Sequence, residues 1–383
     1  MQYRINPKNG QELSLLGFGC MRLAQNDEQA RALITRAIEQ GVNYFDTAYY
    51  YAGNEALLGR ALSGGYRERI NIATKLMPRT VRTYADFDRV LFEQLKRLQT
   101  TYIDYYLIHM LTSKSMWERL VALGIETWLA EKKQAGSIRN IGFSYHGGLQ
   151  EFQTILDCRD WDMCLLQYNY LDEHRQAGRA GVEYAAGKGM PVMIMEPLRG
   201  GRLVNHLPKE AAALFEKTGR SPAEWGLRWV YDHPAVTVVL SGMTDLAMLD
   251  ENIRTASTTT PLTAEDRALF ANVKAALDQS IKVPCTGCSY CIPCPAGVDI
   301  PNCFSNYNDL SLDKKSVVVR KYMMQTCFKR PPANASNCTG CGACEAKCPQ
   351  GIAIREELKN AAKALEGPFF KTVTRAARRV MKT

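Results

Sequence analysis

LLGFGCMRLAQNDEQARALITRAIEQGVNYFD, residues 15–46, decides the fold. It opens on an apolar run, LLGFGCMRL (15–23), and closes on a second, VNYFD (42–46). Between them DEQARALITRAIEQG (27–41) spaces its apolar residues three and four apart, as a helix with one buried face does. Asp27 is the expected N-cap there and Gly41 the expected stop. Strand, amphipathic helix, strand is the repeating unit of parallel α/β folds.

The unit recurs downstream. Further strands are expected at INIATK (70–75), IDYYLIH (103–109), IRNIGFS (138–144), CLLQ (164–167), PVMIME (191–196) and VTVVLSG (236–242). DFDRVLFEQLKRLQ (86–99) and AEWGLRWVYDH (223–233) repeat the helical pattern. Eight strands alternating with helices over about 260 residues predict an α/β chain with a (β/α)8 TIM barrel. A doubly wound open sheet is the rival. It is disfavoured because no G-x-G-x-x-G follows any of these strands.

The barrel does not exhaust 383 residues. The formal charge of +9 lies wholly in residues 281–383, and 10 of the 13 cysteines lie at or after Cys285. Charge and thiol content break together, so the expected domains are 1–280 and 281–383. Apolar residues make up 46% and charged residues 23%, the balance of a soluble globular chain. No run is long and apolar enough for a membrane helix, and MQYRINPKNG lacks a signal pattern. A cytoplasmic protein with no membrane span is expected. Nucleic acid is not an expected partner. Two oxidised iron–sulfur clusters with their thiolates would offset roughly four of the positive charges.

Chemistry in such a barrel sits at the carboxyl ends of the strands. The polar residues there are Asp46, Lys75, His109, Ser144, Gln167, Glu196 and Ser241. Hydrophobic packing accounts for none of them. Several segments carrying these residues resemble the aldo-keto reductase superfamily. They are GVNYFDTAYYYAGNEALLGRAL (41–62), IATK (72–75), DYYLIH (104–109), GFS (142–144), LLQYN (165–169) and MEPLRGG (195–201). The resemblance runs over about residues 10–255. It implies a barrel that binds NADP or NAD without a Rossmann motif and acts on a small carbonyl substrate. It implies Asp46, Tyr51, Lys75 and His109 as the catalytic tetrad, with Tyr51 as proton donor. It also implies that Ser144 and Gln167 hold the nicotinamide amide, and that Glu196, Pro197, Leu198 and Gly200 pass near the cofactor. Ser241, Gly242 and Asn252 then belong to the adenosine-phosphate loop.

Two departures stand out. No Lys or Arg lies between Arg228 and Arg254 to grip a 2′-phosphate, and Asp245 would repel one. Tyr145 stands where the family often has asparagine, and would either stack on a ligand or pack. A phenol titrates near about 10, so the Lys75 ammonium is expected to favour the Tyr51 phenolate.

Cys285, Cys288, Cys291 and Cys294 form one run; Cys338, Cys341, Cys344 and Cys348 form another, each ending in Cys-Pro. The second run has the spacing of bacterial ferredoxin ligands, whose last cysteine serves the other cluster. That predicts two [4Fe–4S] clusters, one on Cys285, Cys288, Cys291 and Cys348, the other on Cys338, Cys341, Cys344 and Cys294. Gly287, Gly340 and Gly342 are expected to supply tight turns. Paired zinc sites are the rival, but zinc prefers separate pairs of ligands. DLSLDKKSVVVRKYMMQTCF (309–328) reads as helical, like a helical ferredoxin domain, and Cys303 and Cys327 read as packing residues.

The expectation is an NAD(P)H-linked carbonyl reductase (or, in reverse, NAD(P)-linked alcohol oxidation). Its clusters either exchange electrons with a protein partner or serve structure. The alternative is a redox-sensing or regulatory cofactor-binding protein with little turnover.

Overall fold

The computed structural model describes the chain apart from residues 24–25, 280, 286, 288–290, 329–330, 349–350, 369, 371–373 and 375–383. Cys288 and most of the basic C-terminal stretch therefore lie outside the described residues. By internal contacts the chain divides into two units: Met1–Leu203 with Gly219–Arg267, and Val204–Thr218 with Ala268–Thr383.

In the first unit β1 (Tyr3–Ile5) pairs antiparallel with β2 (Glu12–Ser14). Eight parallel strands follow. They are β3 (Leu16–Gly19), β4 (Tyr44–Asp46), β5 (Asn71–Leu76), β6 (Ile103–Ile108), β7 (Ile138–Tyr145), β8 (Met163–Gln167), β9 (Val192–Met195) and β10 (Val236–Ser241). They close into a barrel in chain order, with β10 beside β3. Each coincides with an expected strand. The sequence did not announce the hairpin β1–β2, whose three-residue strands are too short to show alternation. It packs at the amino ends of the barrel strands, where the Tyr105 hydroxyl accepts from Asn6 Nδ2 (3.1 Å) and donates to Gln11 Oε1 (2.9 Å).

The helix Asp27–Glu39 buries Ala30, Leu33, Ile34, Ala37 and Ile38, the face that the spacing anticipates. Its cap is Asn26 rather than Asp27. The Asn26 carboxamide oxygen accepts from the Glu28 and Gln29 amides at 2.9 and 3.3 Å. Asp27 enters the first turn, where a carboxylate faces the positive end of the helix dipole. Gly41 ends the helix in the left-handed region, φ 92°.

One apolar cluster fills the barrel: Tyr44, Ala73, Tyr105, Leu107, Met163, Leu165, Met193, Val238 and Leu240, with Leu13 beneath. Side chains alternate along a strand, so these residues fix which positions face inward. At Gly17 a Cβ would lie 2.7 Å from the Val238 side chain, so the packed interior admits only glycine there.

The second unit is helical. It holds Lys209–Glu216, Ile300–Asp309, Lys315–Tyr322 and Ile354–Leu365, with a π-turn at Met323–Cys327. The helix expected over 309–328 is thus shorter: 310–314 is a turn and helix resumes at Lys315. Val283, Ile300, Phe304, Val318, Tyr322, Leu358 and Leu365 share its core with buried Cys303 and Cys327. The Tyr322 hydroxyl donates to Glu366 Oε1 (2.6 Å) and accepts from the Ala335 amide (2.7 Å). Among the described residues no helix is long and apolar enough to cross a membrane.

Candidate functional site

Alternation predicts the site. Two residues beyond inward Tyr44 lies Asp46, and the same step leads from Ala73 to Lys75, Leu107 to His109, Gly142 to Ser144 and Leu165 to Gln167. Five polar side chains thus share the inner face of the carboxyl end. Ser241 falls on the other parity, one residue beyond inward Leu240, while Glu196 follows the end of β9 with φ 56°, where alternation lapses, and lies within electrostatic reach of Tyr51. The seven strand-end groups therefore do not form one ring.

At the mouth, Lys75 Nζ donates to Asp46 Oδ1 (2.5 Å) and to the Thr47 carbonyl (2.7 Å). All three residues are buried. Lys75 Nζ lies 5.4 Å from the centre of the Tyr51 ring. The Tyr51 and His109 rings meet edge to face, centroids 6.0 Å apart. The loop after β4 thus returns Tyr51 over the ion pair. Behind β5, outward-facing Thr74 donates to Glu55 Oε1 (2.6 Å), which also accepts from Gln94 (2.9 Å). This buried network fixes the strand that carries Lys75.

The electrostatics assign protonation states. Burial works against the Lys75 ammonium, but Asp46 and Tyr51 outweigh it and hold its pKa above the ordinary value. Burial pushes the Asp46 carboxyl up against the pull of Lys75. Burial also raises the Tyr51 phenol, and Lys75 offsets only part of that. Lys75 thus favours the phenolate as expected, but burial outweighs it, and in the free protein Tyr51 keeps its proton. Burial lowers His109 to about 3, helped by Lys75, His146 and Arg79, so its imidazole is neutral near pH 7. Its Nδ1 is buried without a hydrogen-bond partner, as is Asp46 Oδ2. Buried Cys20 lies within electrostatic reach of Asp46, Lys75 and Tyr51, a neighbour that no motif signalled.

The remaining positions divide. Ser144 Oγ accepts from the Met110 amide (2.9 Å), which leaves its own proton to donate. Gln167 is engaged at both ends, donating to Asp172 Oδ2 (2.9 Å) and accepting from Gln176. Asp172 also accepts from Asn169 Nδ2 (3.2 Å) and pairs with Arg199 (3.0 Å), tying the loops after β8 and β9 together. In the latter loop Pro197 is buried and Glu196 exposed; Glu196 has φ 56° and Gly200 φ 69°. Leu198 packs on the barrel core, and the Gly200 carbonyl accepts from Arg22 (2.9 Å). Ser241 and Asn252 are buried and bond each other at 3.0 Å, while Gly242 is exposed. Asp245 caps the helix Leu246–Thr258 by accepting from the Met248 amide (2.9 Å). Tyr145 packs on Phe152 and donates to the Gly148 carbonyl (2.7 Å).

Among the described residues of the second unit no cysteine forms a disulfide. Cys285, Cys291, Cys294, Cys338 and Cys348 edge the apolar core, Cys344 is buried and Cys341 is exposed. Burial raises the Cys344 thiol, and Cys338 and Cys294 add to the effect, which puts members of both runs within electrostatic reach. Gly287, Gly340 and Gly342 take φ values of 75°, 75° and 76°, the left-handed turns expected of them. Among the described residues no three His, Cys, Asp or Glu side chains converge as one bound ion would require.

Comparison with known proteins adds to this geometry. The aldo/keto reductase family model matches residues 15–275, and the 4Fe-4S dicluster domain model matches 284–353. An aldo-keto reductase of Mycobacterium sp. (strain MCS) is 30% identical over 248 residues, 63% of this chain and 81% of that relative. The glyoxal reductase of Bacillus subtilis (strain 168) is 28% identical over 237 residues, 60% of this chain and 79% of the relative. Among solved structures, aldo-keto reductase AKR11C1 from Bacillus halodurans (holo form) superposes with a TM-score of 0.61 at 28% identity. That match covers 71% of this chain and 96% of that one. A Klebsiella pneumoniae aldo-keto reductase in complex with NADPH shares the fold at TM-score 0.60 and 22% identity, over 72% of this chain and 96% of that one.

Proposed function

Because the chain belongs to the aldo/keto reductase family and carries a 4Fe-4S dicluster domain, we propose that it reduces a small carbonyl compound with NADPH or NADH, using Tyr51 as the acid. The observation that carries this reading is the buried Lys75–Asp46 pair beneath Tyr51, with neutral His109 at its edge.

The hydride for the carbonyl carbon would come from a nicotinamide, when one is bound at this mouth. The Tyr51 hydroxyl supplies the proton to the carbonyl oxygen, which completes the alcohol. The phenolate left behind faces the Lys75 ammonium, and Asp46 keeps that ammonium charged. Solvent then returns the proton to Tyr51. His109, neutral, donates a hydrogen bond that orients the carbonyl before transfer. The residues present fit a nicotinamide. Buried His109 Nδ1 has no protein partner, and Ser144 retains a free proton for a carboxamide oxygen. Ser144 and Gln167 would hold the amide, the latter by exchanging its Gln176 contact. Glu196, Pro197, Leu198 and Gly200 would border the cofactor, and Ser241, Gly242 and Asn252 would shape its phosphate end. Residues 281–383 would hold the two clusters on their eight cysteines, and residues 1–280 the hydride chemistry. Hydride carries two electrons and a [4Fe–4S] cluster one, so in this reading the clusters take no part in the hydride step.

The test uses anaerobically purified protein, NADPH or NADH and a panel of aldehydes and ketones. Turnover is expected, and Tyr51→Phe should lower kcat by roughly 10²–10⁴. An undiminished rate in Tyr51→Phe, or no turnover with either nucleotide, would favour the regulatory cofactor-binding alternative.

A further inference from the structure

The ion pair between Arg355 and Glu345 has no part in the chemistry above. Arg355 stands in the first turn of the helix Ile354–Leu365. Its Nε donates to Glu345 Oε2 (2.8 Å), its Nη2 lies 2.8 Å from the same oxygen, and its backbone amide donates to Oε1 (2.8 Å). Glu345 directly follows Cys344 in sequence. The guanidinium carbon lies 3.7 Å from the Cβ position of Gly342, between Cys341 and Cys344. Both side chains line a groove of about 920 Å³ with Cys338, Thr339, Gly340 and Lys359. Arg355 is electrostatically linked to Cys344 and Cys338. A cation and an anion, locked together, thus lie against the second cysteine run.

We propose that Arg355 and Glu345 set the reduction potential of the cluster held by Cys338, Cys341, Cys344 and Cys294, the guanidinium raising it and the carboxylate lowering it. This rests on the reading that residues 281–383 hold two clusters. One-electron reduction adds one negative charge to the cluster and its four thiolates. A nearby cation stabilises the reduced form more than the oxidised form, and an anion does the reverse. Arg355 is half exposed, with a side-chain relative accessibility of 51%, so water and salt screen its share. Glu345 also fixes where the guanidinium sits.

The test is an EPR-monitored potentiometric titration of the full-length, cluster-loaded protein, with dithionite as reductant and iron counted in each sample. Arg355→Gln should shift one of the two cluster signals to a more negative midpoint and leave the other in place. Glu345→Gln keeps an acceptor at the helix start and should shift the same signal the other way. The double variant should return close to the parent, and both single shifts should shrink in high salt. Unmoved midpoints, or shifts of the same sign in both single variants, overturn the proposal. Iron-loaded parent protein without two cluster signals overturns the underlying reading instead.

Discussion

At the residue scale, His109 shows how burial sets chemistry. Its ordinary pKa of 6.5 falls to about 3 in the folded chain, where burial and the positive charge of Lys75 oppose protonation. As pH drops below 6.5 the unfolded chain binds a proton that the folded chain refuses. Stability is therefore complete above that value and declines toward pH 3. His109→Gln should remove this share of the decline. Urea midpoints at about pH 7 and pH 5 should lie closer together in the variant than in the parent. An equal gap in both proteins would show that His109 is not buried neutral. The adenosine-phosphate loop sets a second expectation. Asp245 occupies the start of the helix Leu246–Thr258, and no Lys or Arg lies between Arg228 and Arg254 in the sequence. Thr244→Arg should therefore raise the ratio of NADPH to NADH kcat/KM, on the order of tenfold; an unchanged ratio would mean that this loop does not meet the 2′-phosphate.

At the element scale, the loops after β8 and β9 stand on one buried carboxylate. Asp172 and Arg199 are both buried and paired at 3.0 Å. Asp172→Ala would take a buried counter-charge from Arg199 and the acceptor from Gln167 and Asn169, and should destabilise the fold by about 3–5 kcal/mol. Chemical denaturation of parent and variant measures this; a loss below about 1 kcal/mol would show that water already shares the pair. The barrel strands were legible because each is an apolar run bounded by turn residues. The gathering of Asp46, Lys75 and His109 was legible from their places at the carboxyl ends of the strands, and the alternation in Tyr44–Asp46, Ala73–Lys75 and Leu107–His109 carries it physically; Tyr51, on a loop, was legible only through family likeness. Applied along the strands, alternation would have set Ser241 apart from the ring. The Asp172–Arg199 staple and the Arg355–Glu345 pair had no such signal. Each joins residues by tertiary packing or a turn, and no strand or helix period records that. Asn26 took the cap expected of Asp27 because both residue types suit it, and only backbone geometry chooses between neighbours.

At the scale of the whole molecule, one chain joins an aldo/keto reductase barrel to a 4Fe-4S dicluster domain. If the clusters are bystanders to the hydride step, removing their iron by chelation in protein whose barrel stays folded should leave carbonyl reduction at its full rate. Circular dichroism and iron counts checked alongside would confirm that only the clusters were lost. A proportional fall in rate with iron content would instead tie the two chemistries together. The barrel has one more property, owed to its hairpin base and its column of Tyr44, Tyr105, Met163 and Met193. A vessel stoppered below and filled to the brim has no inside to offer. Whatever binds must be met on the open rim, where the packed column beneath serves as a floor and not as a passage.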